Sequence, residues 1–568
     1  MVIMNLQTDF DAIVVGSGIS GGWAAKELTE KGLKVLMLER GTPVRHGVDY
    51  TGEHMAPWDI PFGGKPLREL YEKEYPIQSK VYAFDETTRH FFNNDKENPY
   101  VYDKEKPFEW KRADVLGGRS LTWGRQVYRW SDLDFEANKK DGHGIDWPIR
   151  YKDIAPWYSY VEKFVGVSGE ALGLPHLPDG EFQPPMEMNF MERKIKQSIE
   201  ENFPGRNMTI GRCAIQTEAK NNRGSCHYCG PCQRGCSVGA YFSSQSSTLP
   251  AAEKTGNLTI LTESVVEGLD YDPVHGKVSG VRVIDAQTRV KKTYRAKLVF
   301  LCASTIASAQ ILLNSKSAHF TDGLANRSGV LGRYLMDHTG GNGAYGIMPG
   351  HMDKYHKGNR PNGTYIPRFR NLPGHEGEVS FLRGYGYQGG SMRMDWKAMS
   401  TQVKGFGTRF KQTLRAPGPW VAYISGFGEH LPDQNSRMML DDTQVDRFGI
   451  PQVRFDSVYG KNEKAMAVDI AEQAELMLKT AGASMVSSFM ANGAPGDSIH
   501  EMGTARMGDD PSESVLNRWN QAHDVKNLFV TDGSCMTSSS CVNPSITYMA
   551  LTARAVDYAV KQLHAGNI

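Results

Sequence analysis

Asp11-Ala-Ile-Val-Val-Gly-Ser-Gly-Ile-Ser-Gly-Gly-Trp-Ala-Ala25, followed by Lys34-Val-Leu-Met-Leu-Glu39, decides how this chain folds. Ile13, Val14 and Val15 form an apolar run suited to a strand buried on both faces. Gly16, Ser17, Gly18 and Gly21 make a tight turn, and an amphipathic segment from about Ser20 to Lys31 follows as a helix. Gly16 permits the sharp bend, Gly18 lets the backbone approach a pyrophosphate, and Gly21 lets helix and strand pack closely. The helix N-terminus offers free N–H groups and a partial positive charge to phosphates. Glu39 ends the second strand where a carboxylate can accept ribose hydroxyls, with Arg40 beside it. Strand, helix, second strand and terminal acid in register predict a dinucleotide site.

With 568 residues the chain exceeds one ordinary core, so two or three domains are expected. Sixty-five Lys and Arg balance 64 Asp and Glu, which gives no reason to invoke nucleic acid or a broadly acidic partner. No apolar run is long enough to span a bilayer. Met1 to Thr8 lack a basic segment followed by an apolar core, so no signal peptide is expected and the chain by itself reads as cytoplasmic.

Residues 9–338 read mainly as the dinucleotide-binding part, with an excursion of loops and short helices at 46–110 and a cysteine-bearing segment at 212–245. Arg112-Ala-Asp-Val-Leu-Gly-Gly-Arg-Ser-Leu-Thr-Trp-Gly124 offers a second backbone approach to a cofactor, through Gly117, Gly118, Ser120, Thr122 and Trp123. A plain Gly-Gly turn is the equal alternative. Ile154, Trp157, Tyr158, Val161, Phe164 and Val165 recur at helical spacing, with Pro156 in the first turn. Residues 258–300 read as strands, with Val266 among them. The last strand leads through Ala303 and Ser304 into a helix, which looks like another ligand-facing turn, with a turn of small residues for packing as the alternative. Residues 339–497 alternate Gly-rich and aromatic extended runs, which suits an antiparallel sheet in a separate substrate domain. Residues 461–482 form an amphipathic helix. Residues 498–568 return to the style of the first part. The predicted class is α/β, α+β overall: a Rossmann-like domain assembled from distant segments, with an antiparallel-sheet substrate domain inserted.

Cys226-His-Tyr-Cys229-Gly-Pro-Cys232-Gln-Arg-Gly-Cys236 has the spacing C-x2-C-x2-C-x3-C, which brings four thiols into one compact loop. That is the spacing of bacterial iron–sulfur ligation, although Ser237 stands where Pro is usual. A structural zinc knot, or an unmetallated or disulfide-bonded loop, are the alternatives. Near the C-terminus lie His500-Glu-Met-Gly-Thr504, Asp532-Gly533 after a short buried strand, and Asn543-Pro-Ser545-Ile-Thr547. On local grounds Asn543 is a helix cap, with Pro544 opening the helix, and His500 an ordinary polar loop residue.

Taken together and in order, five motifs change that reading. They are the Gly-rich turn with Glu39, Leu116-Gly-Gly-x-Ser-x-x-Trp-Gly124, Leu331-Gly-Arg-Tyr-Leu-Met-Asp-His338, His500-x-x-Gly-Thr504 and Asn543-Pro544. Over nearly its full length the chain resembles the glucose–methanol–choline (GMC) oxidoreductases. The resemblance implies FAD at the residues above, together with Asp532, Gly533, Ser545 and Thr547. It makes His500 and Asn543 the catalytic pair that takes the proton and orients an alcohol. Within the family the chain looks nearest to bacterial sugar and polyol dehydrogenases, and similar to pyranose oxidase in its His/Asn pair. Thr122 replaces the histidine that carries the covalent flavin link there, so FAD is expected to be non-covalent. The dehydrogenase branch implies a sugar or glycoside oxidised at a secondary hydroxyl, with C3 of a glucoside as one specific carbon. It also implies electrons passing from FAD to a 3Fe-4S or 4Fe-4S cluster on Cys226, Cys229, Cys232 and Cys236. A small accessory subunit with a Tat signal, able to co-export the chain to the periplasm, and a cytochrome-type acceptor complete that picture. The rival is an FAD oxidase that uses oxygen, with structural cysteines.

Overall fold

The computed structural model describes residues 9–56, 58–64, 67–491 and 493–568. The expectation drawn from Met1 to Thr8 lies outside them. A five-stranded sheet runs Leu528–Val530, Ala296–Leu301, Phe10–Val15, Val35–Leu38 and Leu258–Leu261 from edge to edge. All its pairs are parallel, with Ala12 opposite Val35 on one side and Leu298 on the other. Ala12, Val14, Val35, Met37, Leu298 and Phe300 face one way. There they meet Ala24, Ala25 and Leu28 of helix Ile19–Glu30 and Ala555, Val556 and Ala559 of helix Ser545–His564. Ile13, Val15, Leu36, Leu38, Val299 and Leu301 face the other way, into a core shared with the three-stranded meander Ser264–Asp272, Lys277–Asp285 and Lys291–Tyr294. Burial on both faces is why these strands are unbroken apolar runs rather than alternating ones.

A second sheet is six-stranded, in the order Ser484–Met490, Thr339–Met348, Trp420–Gly428, Tyr385–Arg393, Thr364–Ile366 and Thr209–Ile210, paired antiparallel throughout. Helix Lys461–Thr480 covers one face, with Met466, Ile470, Ala474, Met477 and Leu478 fully buried against Ala344, Tyr387, Ala422 and Ile424. Each large side chain so buried contributes about 2 kcal/mol. The opposite face presents Gln388, Gly390, Tyr423 and Phe427 to a cavity between the two sheets. The edge strand at 209–210 and helix Phe190–Asn202 belong to this second body, although they precede residue 339. One helix starts earlier than its spacing predicts. It spans Tyr151–Val165, with Asp153 Oδ2 accepting from Arg150 N at 2.8 Å, so Pro156 falls in the second turn and removes one interior N–H. Among the described residues no helix is long and apolar enough to cross a membrane.

Candidate active site

The cavity encloses about 1980 Å³, larger than the roughly 300–1,000 Å³ of a single small-ligand site. One end is the Gly-rich turn. Gly16 has φ +94°, and a Cβ there would lie 2.5 Å from the Cys302 carbonyl oxygen. A Cβ on Gly21 would lie 1.9 Å from the Gly16 oxygen, whereas one on Gly18 would meet nothing within 4 Å. Two glycines are therefore needed by the protein itself and the third opens onto the cavity. Gly18 caps helix Ile19–Glu30 without a side-chain bond, leaving the first N–H groups for an anion.

Glu39 is buried beside this turn. Its Oε2 accepts from Ser17 N at 3.0 Å and from Ser17 Oγ, and its Oε1 accepts from Gly41 N at 2.8 Å. Burial raises its pKa while those bonds pull it back. A carboxylate has about four acceptor sites, so one on Oε1 remains for a ribose hydroxyl. Ser17 Oγ also accepts from Gly117 N at 2.8 Å, tying the second Gly turn to the first. Gly117 has φ +91°. Ser120 Oγ donates to Gly117 O at 2.6 Å and accepts from Ser244 N at 3.0 Å. At the third turn, Asp532 Oδ2 accepts from Ser304 N at 3.0 Å and Ser308 Oγ at 2.5 Å, and Oδ1 from Ser534 N at 3.0 Å and Ser534 Oγ at 2.5 Å. Four bonds on one buried carboxylate lock two β-to-helix turns together.

Of the sequence-predicted residues, Gly16, Ser17, Gly18, Ser20, Glu39, Arg40, Gly118, Ser120, Thr122, Trp123, Val266, Ala303, Ser304, Asp532, Gly533, Asn543 and Ser545 line the cavity. Gly21 and Gly117 shape its wall from behind. Thr547 is turned away, its Oγ1 2.7 Å from Tyr158 Oη. The open Gly18, the uncapped helix N-terminus and the spare Glu39 acceptor fit a dinucleotide cofactor.

His500 and Asn543 face the same cavity, His500 Nε2 being 3.3 Å from Asn543 Nδ2. Asn543 does not cap the C-terminal helix; Pro544 occupies that position. Gln388 Nε2 donates to Asn543 Oδ1 at 2.6 Å and so fixes the amide with its NH₂ toward His500. Behind His500, its Nδ1 lies 3.0 Å from Nδ1 of the buried His338, whose Nε2 lies 3.2 Å from the Ser539 carbonyl oxygen. A carbonyl only accepts, so His338 carries its proton on Nε2 and accepts at Nδ1. His500 must then be protonated on Nδ1, which leaves the Nε2 lone pair aimed at the cavity. Burial pushes His338 down to about 4. Burial, then His338 and Arg119, hold His500 well below the usual imidazole value. Both rings are neutral near pH 7.

Asp337 places the loop that carries His500. Its Oδ2 accepts from Gly496 N at 2.9 Å and Ser498 N at 3.0 Å, and its Oδ1 from His500 N at 3.0 Å. Burial and Glu501 push this carboxyl up to about 7, and one proton fits on the free Oδ1 lone pair without breaking any of the three bonds. His338 stood in a recognised motif without a role. Gln388 gave no sequence signal, being one polar residue in a Gly-rich strand whose inward face only the pairing defines.

The cysteine segment meets the cavity at Cys226, His227 and Tyr228. Cys226, Cys232 and Cys236 are half-buried, packed with Trp123 around Met186, Ile210 and Tyr241, while Cys229 is exposed. All eight cysteines are free thiols. The expected convergence of four ligands is not seen: among the described residues no group of three or more His, Cys, Asp or Glu is arranged to hold a metal ion. The loop's surroundings nonetheless suit an anionic centre. Arg125, 3 % exposed and held at φ +62°, has Nε and Nη1 without hydrogen-bond partners. Its charge lies within electrostatic reach of Cys232. A buried cation left so is costly unless an anion joins it.

Comparison with known proteins agrees with this geometry. A family model described as GMC oxidoreductase matches residues 10–340 and a second of the same description matches residues 432–552. The chain is a GMC oxidoreductase. It therefore binds FAD and oxidises CH–OH groups of its donors. It is 29% identical to the 2-methyl-1,2-propanediol dehydrogenase of Mycolicibacterium austroafricanum, over 96% of this chain and 94% of that protein. It is 25% identical to the fructose dehydrogenase large subunit of Gluconobacter japonicus, over 98% of each. It is also 25% identical to the paromamine 6'-oxidase of Streptomyces fradiae, over 96% of this chain and 90% of that one. The crystal structure of pyridoxine 4-oxidase from Mesorbium loti shares the fold, with TM-score 0.60 and 16% identity over 97% of this chain and 99% of that one.

Proposed function

We propose that this GMC oxidoreductase is a dehydrogenase that oxidises a secondary hydroxyl of a sugar or glycoside to a ketone. The observation that carries the reading is His500 Nε2 lying 3.3 Å from Asn543 Nδ2, on a cavity that also holds the dinucleotide cradle. The 3.3 Å contact between them is long, so an incoming hydroxyl can replace it. His500 Nε2 then takes the hydroxyl proton, and Asn543 Nδ2 donates to the same oxygen and fixes which C–H bond points into the cavity. His338 Nδ1 accepts from the resulting imidazolium and stays neutral. Orientation of this kind contributes up to roughly 7–11 kcal/mol, and a positioned base roughly 10²–10⁴-fold. Bound FAD supplies the hydride acceptor. Beyond the pair, Gln388, Asn359, Tyr423 and the Arg360–Glu192 ion pair line the wall, with both Arg360 contacts at 2.7 Å. That dense set of donors and acceptors supports a polyhydroxylated substrate; C3 of a glucoside rests on the resemblance to the dehydrogenase branch alone.

An iron–sulfur centre on Cys226, Cys229, Cys232 and Cys236 is part of the proposal. Its support is the ligand spacing, the contact of Cys226 with the cavity and Arg125, whose guanidinium lies over the Tyr241 ring with Nε and Nη1 unbonded. Such a centre carries single electrons out of a site. The likeness to a protein named as a large subunit supports a small accessory subunit, and we extend the reading to a cytochrome-type acceptor and co-export to the periplasm.

The test is a visible spectrum with iron and sulfide analysis of anaerobically purified protein, before and after a panel of diols, free sugars and glycosides. Flavin bands that bleach with a glycoside, plus bound iron, are expected. Bleaching without iron removes the cluster. Oxygen uptake as fast as dye reduction replaces the dehydrogenase reading with an oxidase. No bleaching with any sugar removes the substrate class.

A further inference from the structure

The strands Tyr385–Arg393 and Trp420–Gly428 pair up to Arg393 opposite Trp420, Met394 still bonds to Gly418 and Pro419, and beyond that neck the chain leaves the sheet. This excursion folds as two short helices, Trp396–Gln402 and Gly407–Arg415. The second helix has no buried residue. Phe410 and Leu414, one turn apart, are only half-covered, Phe406 is 94 % exposed and Trp396 56 % exposed. Such exposure of aromatics has no explanation in the fold of this chain.

Charge follows the same segment. Residues 394–419 hold five Lys and Arg against Asp395 alone, in a chain whose whole net charge is +1. Lys404, Arg409, Lys411 and Arg415 are all exposed, and among the described residues none is within ion-pair distance of a carboxylate. Asp395 caps the first helix through Ala398 N at 2.8 Å. The neighbouring loop continues the pattern. Arg393 staples it to the base of the excursion, donating to Met352 O at 3.0 Å, Lys354 O at 2.9 Å and Pro417 O at 3.0 Å. That loop adds Met352, 51 % exposed, Tyr355, 64 % exposed, and Lys357, while its Asp353 is taken up by Lys354 at 3.1 Å.

We propose that the excursion 394–419, with the loop 352–357, docks this protein on an anionic lipid surface. Cations flanking exposed Trp, Phe, Tyr and Met are the combination that seats a short amphipathic helix among headgroups, the cations meeting phosphates and the aromatics the acyl boundary. A protein face would need a complementary apolar pocket for Phe406. A bilayer accepts it wherever it lands, and the helix is too short and too exposed to present a shaped stripe. Met394, Asp395 and Ala398 line the cavity, so docking sets the cavity mouth against the headgroups.

The FAD-loaded full chain is sedimented with vesicles of phosphatidylcholine alone or with about one third phosphatidylglycerol. Each cation brought to an anionic leaflet is worth about 1 kcal/mol, roughly five-fold in partitioning. The quadruple variant K404E/R409E/K411E/R415E is therefore expected to lose binding to anionic vesicles by at least about 100-fold. W396A/F406A is expected to weaken it at all salt concentrations, while raised salt releases the parent protein. None of these six side chains lines the cavity, so flavin content and melting temperature are expected to stay unchanged in both variants, which excludes misfolding as the cause. Failure to bind anionic vesicles overturns the proposal. So does binding that survives the charge reversal, or capture by polyglutamate with none by vesicles, which would make an acidic protein the occupant. Because the readout is sedimentation, it is independent of which alcohol the enzyme oxidises.

Discussion

Replacing His338 with leucine removes the acceptor for His500 Nδ1–H and leaves the ring volume nearly filled. His338 does not reach the cavity, so neither FAD nor the alcohol loses a contact. What is lost is the 3.0 Å bond that sets the proton on Nδ1 of His500. In the variant that N–H is a buried donor without a partner, which costs about 1–3 kcal/mol. The ring escapes the cost by moving its proton to Nε2, where it blocks the base. The imidazolium formed in the reaction also loses its acceptor. At 1.36 kcal/mol per factor of ten, flavin reduction slows by about 5- to 150-fold. The assay is anaerobic stopped-flow reduction of bound flavin by the best alcohol of the panel. The limiting rate falls while the half-saturating concentration holds. Glutamine at 338 can accept from His500 through its oxygen and donate to Ser539 through its nitrogen, so His338→Gln recovers most of the rate. A leucine variant that reduces flavin at the parent rate, or a glutamine variant as slow as leucine with flavin bound, refutes the tautomer argument.

The acid limb of flavin reduction lies well below pH 6.5. Burial, His338 and Arg119 depress the His500 pKa, neutral imidazole is the working base, and activity is lost only as pH falls through that depressed value; a limb at 6.5 or above contradicts the site. His500→Ala lowers the same rate by roughly 10²–10⁴-fold with FAD retained, measured by flavin content beside stopped-flow. Gly18→Ala and Gly21→Ala separate cofactor from fold: the first meets no atom and weakens FAD retention at an unchanged apoprotein melting temperature, whereas the second drives a methyl to 1.9 Å from Gly16 O and lowers that temperature.

Local physics made the cradle legible. Gly16, Gly18 and Gly21 announce a bend, an opening and a close packing within six residues, and Glu39 closes the unit. The catalytic pair was not readable in that way. Asn543 before Pro544 has every mark of a helix cap, and only the ordered set of motifs gave it another role. Gln388 and Tyr423 were out of reach because cross-strand register, not sequence alternation, turns them to the cavity. Pro156 shows the limit of a good local rule, since Arg150 and Asp153 start that helix five residues before the proline. The thiol spacing at 226–236 marked a compact loop, but spacing alone does not draw the four sulfurs into a ligand set.

The Asp337 carboxylate has a consequence for how such an enzyme diversifies. The chain leaves the cofactor-binding body after His338, packs Met438, Val453 and Phe455 of a hairpin back into its core, and returns finally at Gly496, Ser498 and His500, whose amides all end on that one side chain. Apart from that hairpin, the segment between is a long insertion whose neck this clasp closes. The intervening walls can lengthen, shorten or be traded for those of a relative without moving the proton acceptor. The position of the proton acceptor is thus inherited with the clasp, and the choice of donor is inherited separately, as a cassette.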